Sequence, residues 1–139
     1  MQNPSAFGDA SVKSSTGLDA NIAALLAYLL GFLGGLIFFF MEKSSRFVKF
    51  HAMQSILFQV LIAVYVIFAI IVSVILGVLG AAMNGGIIIT ILGGLFTLVL
   101  VVVSLAFFIG FVMLLIKAFQ GQTFKLPIIG NMAEKFASK

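Results

Sequence analysis

Residues 50–116 read FHAMQSILFQVLIAVYVIFAIIVSVILGVLGAAMNGGIIITILGGLFTLVLVVVSLAFFIGFVMLLI, and no Asp, Glu, Lys or Arg occurs among them. Ile22 to Met41 is equally bare of charge. About 20 apolar residues cross the hydrocarbon of a bilayer, so these blocks are long enough for several passages. The pattern predicts an all-α integral membrane protein with three transmembrane helices. An interfacial amphipathic segment after the first helix and an interfacial C-terminal tail complete the expected fold.

Composition agrees. Hydrophobic residues make up 63% of the 139-residue chain and charged residues 9%, against about 45–50% and 25% in ordinary globular domains. The chain has no cysteine, which excludes disulfide and thiolate chemistry. Its one histidine and its four scattered acids, Asp9, Asp19, Glu42 and Glu134, make no metal-ligand spacing. Walker, HExxH and GxSxG patterns are missing too. No catalytic residue, metal or cofactor is expected, and the few cations make no footprint for nucleic acid.

Charge position orients the chain. Lys43, Arg46 and Lys49 follow the first apolar block, Lys117, Lys125, Lys135 and Lys139 follow the last, and Ala81–Gly86 is uncharged. Basic residues mark the cytoplasmic side. The expectation is a multi-pass cell-membrane protein with its N-terminus outside and its C-terminus in the cytoplasm.

Along the chain, residues 1–18 read as a flexible polar tail and 19–139 as a single membrane domain, with helices about 20–41, 45–79 and 87–117 and an interfacial tail 121–137. Asp19 and Ser45 are candidate N-caps. Between Arg46 and Gln54 the helix is amphipathic, with Arg46, Lys49 and Met53 on one side and Val48, His51 and Ser55 on the other. Gly77, Gly80, Gly85, Gly86, Gly93 and Gly94 suggest a non-spanning apolar hairpin on the outer side. In the tail, Phe124, Leu126, Ile128 and Ile129 dip into the interface around Pro127. Asn131 caps a last helix with Glu134 in a capping-box arrangement, and Met132 shares a face of it with Phe136.

Ala23, Ala27, Gly31 and Gly35 recur every fourth residue. Small residues let helices approach closely in lipid, so this stripe reads as intramolecular packing, with a homodimer seam as the alternative. His51, Ser55 and Gln59, with Ser73 beyond, form a polar stripe on the second helix, and Thr90, Gly94, Thr97 and Ser104 one on the third. Interhelical hydrogen bonding explains them, and a polar path for a substrate is the rival account. His51 is the one acid–base candidate. A structural histidine bonded to Ser55, backbone or a headgroup is the plainer reading. The run Phe38-Phe39-Phe40, with Phe47, Phe50 and Phe58, predicts an aromatic anchor at the cytoplasmic interface.

Three stretches carry a family likeness: Ala23-Ala24-Leu25-Leu26-Ala27-Tyr28, the block from Arg46 to Ser55, and the tail from Gly121 to Glu134. Together they resemble a family of small prokaryotic membrane proteins of unknown function, usually described as similar to Tic-twenty, the membrane component of chloroplast inner-envelope protein import. The likeness covers roughly residues 20–136. It implies that His51, Gln54 and Ser55, with Pro127, Gly130 and Glu134, form a signature on the cytoplasmic side. The tail would then fold under the hinge, and Glu134 would meet Lys49 or Arg46. The expected function is a non-enzymatic accessory or assembly subunit, working with membrane lipid and a protein partner or a second copy, in protein or peptide translocation. An oligomeric channel or transporter and a lipid-interacting membrane organiser are the alternatives.

Overall fold

The computed structural model describes residues 10–139; the first nine residues of the expected polar tail lie outside them. The described residues are all helix, turn and loop: α1 Ala20–Leu29, α2 Gly31–Met41, α3 Arg46–Ala82, α4 Ile87–Phe119 and α5 Ile129–Ala137. Among the described residues, only α3 and α4 are long and apolar enough to cross a bilayer.

The expected first spanning helix, 20–41, is therefore corrected. It breaks at Leu30–Gly31, where Gly31 takes φ +64. That left-handed conformation ends helices and suits glycine. The two pieces run for 10 and 11 residues, roughly 15 Å each at 1.5 Å per residue. They fold back as a hairpin, since the chain before α1 bonds to the chain after α2. Lys43 N–H donates to Ser15 Oγ at 2.8 Å, and Ser44 Oγ donates to the Lys13 carbonyl at 3.3 Å. A straight helix over the same residues would hold these segments roughly 30 Å apart. The expectation of three spanning helices fails with it, because neither α1 nor α2 has the length for a crossing. The stripe Ala23, Ala27, Gly31 and Gly35 is not one seam either. Ala23 and Ala27 are buried on α1, Gly31 makes the break, and Gly35 is buried on α2.

Boundaries shift modestly elsewhere. The second helix continues to Ala82 and the third to Phe119. The expected non-spanning hairpin between them is a tight turn. Asn84 and Gly85 take positive φ, and Gly85 N–H returns to the Gly80 carbonyl at 2.8 Å. The capping box at Asn131 does not form, because α5 starts three residues earlier, with Ile128 in the N-cap position. Asp19 takes the N-cap position of α1 without a side-chain bond. Ser45 Oγ does accept Val48 N–H, at 3.3 Å.

The segment expected as one domain forms two compact units: the described part of Met1–Val60 with Phe111–Lys139, and Leu61–Gly110. The second unit is a pair of antiparallel helix segments. Tyr65 Oη donates to the Leu100 carbonyl at 2.8 Å and lies 2.9 Å from Ser104 Oγ. Its ring meets Phe107 at 5.3 Å. Ile89 is its one buried large side chain among the described residues, while Ile67, Phe68, Val74, Leu98 and Val102 are all more than half exposed. No charged residue occurs between Leu61 and Gly110. A surface so apolar is matched to lipid as its solvent. All eight Lys and Arg residues fall in the first unit.

Candidate functional site

The first unit holds two polar centres, both built around the α1–α2 hairpin. One lies at the start of α3. The aromatic run after Ser45 turns Phe47, Phe50, His51, Gln54 and Ser55 inward, and all are buried. His51 is walled by three rings in edge-on contact: Phe47 at 4.5 Å, Phe50 at 5.2 Å and Tyr28 at 5.7 Å between centroids. Tyr28 Oη lies 3.0 Å from His51 Nδ1. Gln54 Nε2 donates to Tyr28 Oη at 3.3 Å and to the Phe124 carbonyl at 2.9 Å.

Donors and acceptors assign the tautomer. With Gln54 donating to its oxygen, Tyr28 is free to donate its own proton to Nδ1, which places the histidine proton on Nε2. Nε2 of His51 and Oε1 of Gln54 make no hydrogen bond within normal geometry, and the backbone of Gln122 lies beside the ring. Ser55 Oγ donates to the Ala27 carbonyl at 2.8 Å, so it serves α1 rather than His51. These bonds tie α1, α3 and the tail together.

The second centre is Glu42, which sequence reasoning passed over. It is 2% exposed. Its Oε1 accepts Ser15 N–H at 3.0 Å, Ser15 Oγ at 2.9 Å, Ser44 N–H at 3.0 Å, Ser44 Oγ at 3.0 Å and Ser45 N–H at 2.8 Å. Ser14 Oγ donates to Oε2. Burial by itself raises the carboxyl pKa, but the bonds from Ser14, Ser45 and Ser15 outweigh it and hold the group down to about 2. Carboxylates that accept several N–H bonds behave this way. Residues expected in a flexible tail, Lys13 to Ser15 among them, are thus bonded into the fold. A useful signal was present in the serines flanking both ends of the apolar block.

Of the other candidates, Gly130 is buried because a β-carbon there would stand 2.7 Å from Lys125 Cβ. Pro127 is exposed. Glu134 pairs with Lys125 at 2.5 Å, not with Lys49 or Arg46 as expected: the turn at Pro127 brings Lys125 back over α5. Lys49 instead sets its ammonium 5.4 Å from the centre of the Phe39 ring. Arg46 is exposed and Gln59 half-buried, and neither joins the bonded cluster. The tail does reach the hinge. Phe50 packs with Ala133 and Ala137, and Met53 and Leu57 border that contact. Thr90 and Thr97 bond back to the Gly86 and Gly93 carbonyls of their own helix.

The model of the magnetosome magnetite crystal formation protein family, MamF/MmsF, matches residues 15–133, from the Glu42 knot to α5. The chain belongs to that family. It is also 39% identical over 126 residues to a UPF0132 membrane protein of Methanocaldococcus jannaschii, covering 90% of this chain and 94% of the relative. A UPF0132 membrane protein of Archaeoglobus fulgidus is 36% identical over 117 residues, 83% of this chain and 92% of the relative. A second Methanocaldococcus jannaschii member is 34% identical over 120 residues, 86% and 71% respectively. No solved structure matches. With relatives named as membrane proteins and two apolar helices of spanning length, this is a membrane protein of a small uncharacterised family.

Proposed function

We propose that this protein is a non-enzymatic component of the cell membrane that organises its bilayer and binds partner proteins through its charged unit. The observation that carries the reading is the fate of His51. The chain's one histidine is fully buried, walled by aromatic rings and committed to Tyr28. Polar residues of the expected signature are used to join α1, α3 and the tail, which leaves the outer surface as the working part.

On this reading α3 and α4 cross the membrane and the α1–α2 hairpin enters it only partway. Both described ends of the chain then share the charged, cytoplasmic side, in place of an outside N-terminus. The family's description concerns magnetite crystal formation. A membrane organiser suits that setting better than a mineral binder does. Glu42 is buried and Glu134 is paired with Lys125, so two of four acids are withdrawn from any mineral surface. The Tic-twenty resemblance makes translocation machinery one class of partner. Mild-detergent purification followed by mass measurement of the intact assembly tests the reading. A co-purifying protein or retained lipid supports it. A pure homo-oligomer that conducts solute in liposomes favours the channel alternative and overturns it.

A further inference from the structure

The faces of α5 are the reverse of those of an ordinary packed helix. Its inward face is made of small residues: Gly130, Ala133 and Ala137 are buried, the alanines against Phe50. Its large apolar residues point outward. Ile128, just before the first turn, is 76% exposed, Met132 42% and Phe136 45%. At 100° per residue these three fall within one arc of about 80°, opposite the buried face. Lys135 lies about 20° beyond the edge of that arc, beside Ile128, and Lys139 follows the end of the helix at Ala137; both are exposed. Lysines among outward apolar side chains are the mark of a helix lying in a membrane interface, with stems along the acyl boundary and ammonium groups at the phosphates.

The charge around the helix points to the occupant. The chain carries a net +4, and every cation belongs to the unit that holds α5. We propose that the outer face of α5 docks on an anionic lipid leaflet, with Ile128, Met132 and Phe136 inserted and Lys135 and Lys139 on the headgroup phosphates. This deepens the reading of the protein as a membrane organiser: it names the lipid class that the charged unit engages. A polybasic surface gains about five-fold in affinity for each lysine held near anionic lipid.

The chain has no tryptophan, so Phe136→Trp and Met132→Trp are single-fluorophore proteins with the reporter on the exposed face. Each is reconstituted as the full chain in vesicles of phosphatidylcholine alone and of phosphatidylcholine with phosphatidylglycerol, and quenched with brominated lipid and with iodide. The expected result is strong bromolipid quenching and iodide protection in the phosphatidylglycerol vesicles. Both should weaken several-fold in phosphatidylcholine alone or when Lys135 and Lys139 are changed to Gln. Equal bromolipid quenching in the two vesicle types overturns the anionic preference. Iodide quenching without a bromolipid effect, or shielding that grows with protein density, overturns lipid docking and assigns the face to a protein or a second copy. Neither result bears on whether a protein partner co-purifies, so the two readings fail separately.

Discussion

Removing the Glu42 side chain tests whether polar bonds hold the hairpin shut. In Glu42→Ala the donors of Ser14, Ser15, Ser44 and Ser45 lose their common acceptor. Ser15 and Ser44 are exposed, so water replaces the carboxylate there at little cost. Ser45 and Ser14 are buried, and each stranded buried donor costs about 1–3 kcal/mol. Ser14 can turn its hydroxyl to Thr16 Oγ1, 3.0 Å away, so its share lies at the low end. The expected loss is about 2–4 kcal/mol. Glu42→Gln keeps an acceptor at the Oε1 position but loses the charge and, at the amide nitrogen, the acceptor for the Ser14 hydroxyl. Neutral hydrogen bonds are roughly half as strong as charged ones, so its loss is smaller. The pH dependence has a definite sign. The carboxyl's pKa falls from 4.5 to about 2 on folding, so the stabilisation is complete above the ordinary carboxyl range and is lost as pH falls through about 2. Thermal unfolding in mild detergent across this range reads it. Wild type should lose stability through the window, and Glu42→Ala should start low and stay flat there. If the alanine variant melts with wild type at neutral pH, the knot does not hold the hairpin.

Tyr28→Phe takes the donor from His51 Nδ1 and an acceptor from Gln54, with an expected loss of about 1–3 kcal/mol; nitrogen-15 spectra of His51 should move away from the Nε2–H tautomer, and an unchanged spectrum and melting point would refute the assignment. Gly35→Ala places a β-carbon 2.8 Å from Ile56 Cγ1 and 3.0 Å from the Ala52 carbonyl. Over-packing of that kind costs about 1–3 kcal/mol, whereas Gly94→Ala, with nothing within 4 Å, should melt like wild type. In single-cysteine variants, Ser15, Lys43 and Gln120 should label from one side of the membrane and Asn84 from the other. Labelling of position 15 from the side of position 84 would restore a full crossing by residues 20–41.

How much was legible in the sequence depended on which physical signal a segment carries. The long charge-free blocks announced α3 and α4 within a few residues, because length and apolarity are all a spanning helix needs. The tail reached the hinge as expected, for the blocks beginning at Arg46 and Gly121 combine buriable aromatics with turn residues. The hairpin was not legible. Ile22–Met41 has the hydropathy of a crossing, and apolarity does not report direction. The break rests on one backbone angle at Gly31, in a run where Gly34 and Gly35 are also glycine and stay helical. The partners of Glu42 and Tyr28 were hidden for a related reason. Each is a contact across more than 20 residues, and such contacts appear only once the hairpin is known to fold back.

The hairpin also explains where the polar side chains are. Two half-length helices in lipid gain little from burying apolar surface, since the acyl chains are as apolar as they are. Close packing and hydrogen bonds must hold them instead. Both devices occur here: Gly35 lies against Ala52 and Ile56, and Ser55 donates to the Ala27 carbonyl. Tyr28 and Gln54 carry the bond network on to the tail, and Glu42 closes the open end. Residue types that in water would suggest catalysis are, in this solvent, what a short hairpin requires to stay folded. The segments of α3 and α4 from Leu61 to Gly110 are apolar over their whole length and manage with Tyr65 bonded to Leu100 and Ser104. A search for function therefore belongs on the outward faces of the charged unit, α5 first among them, rather than inside it.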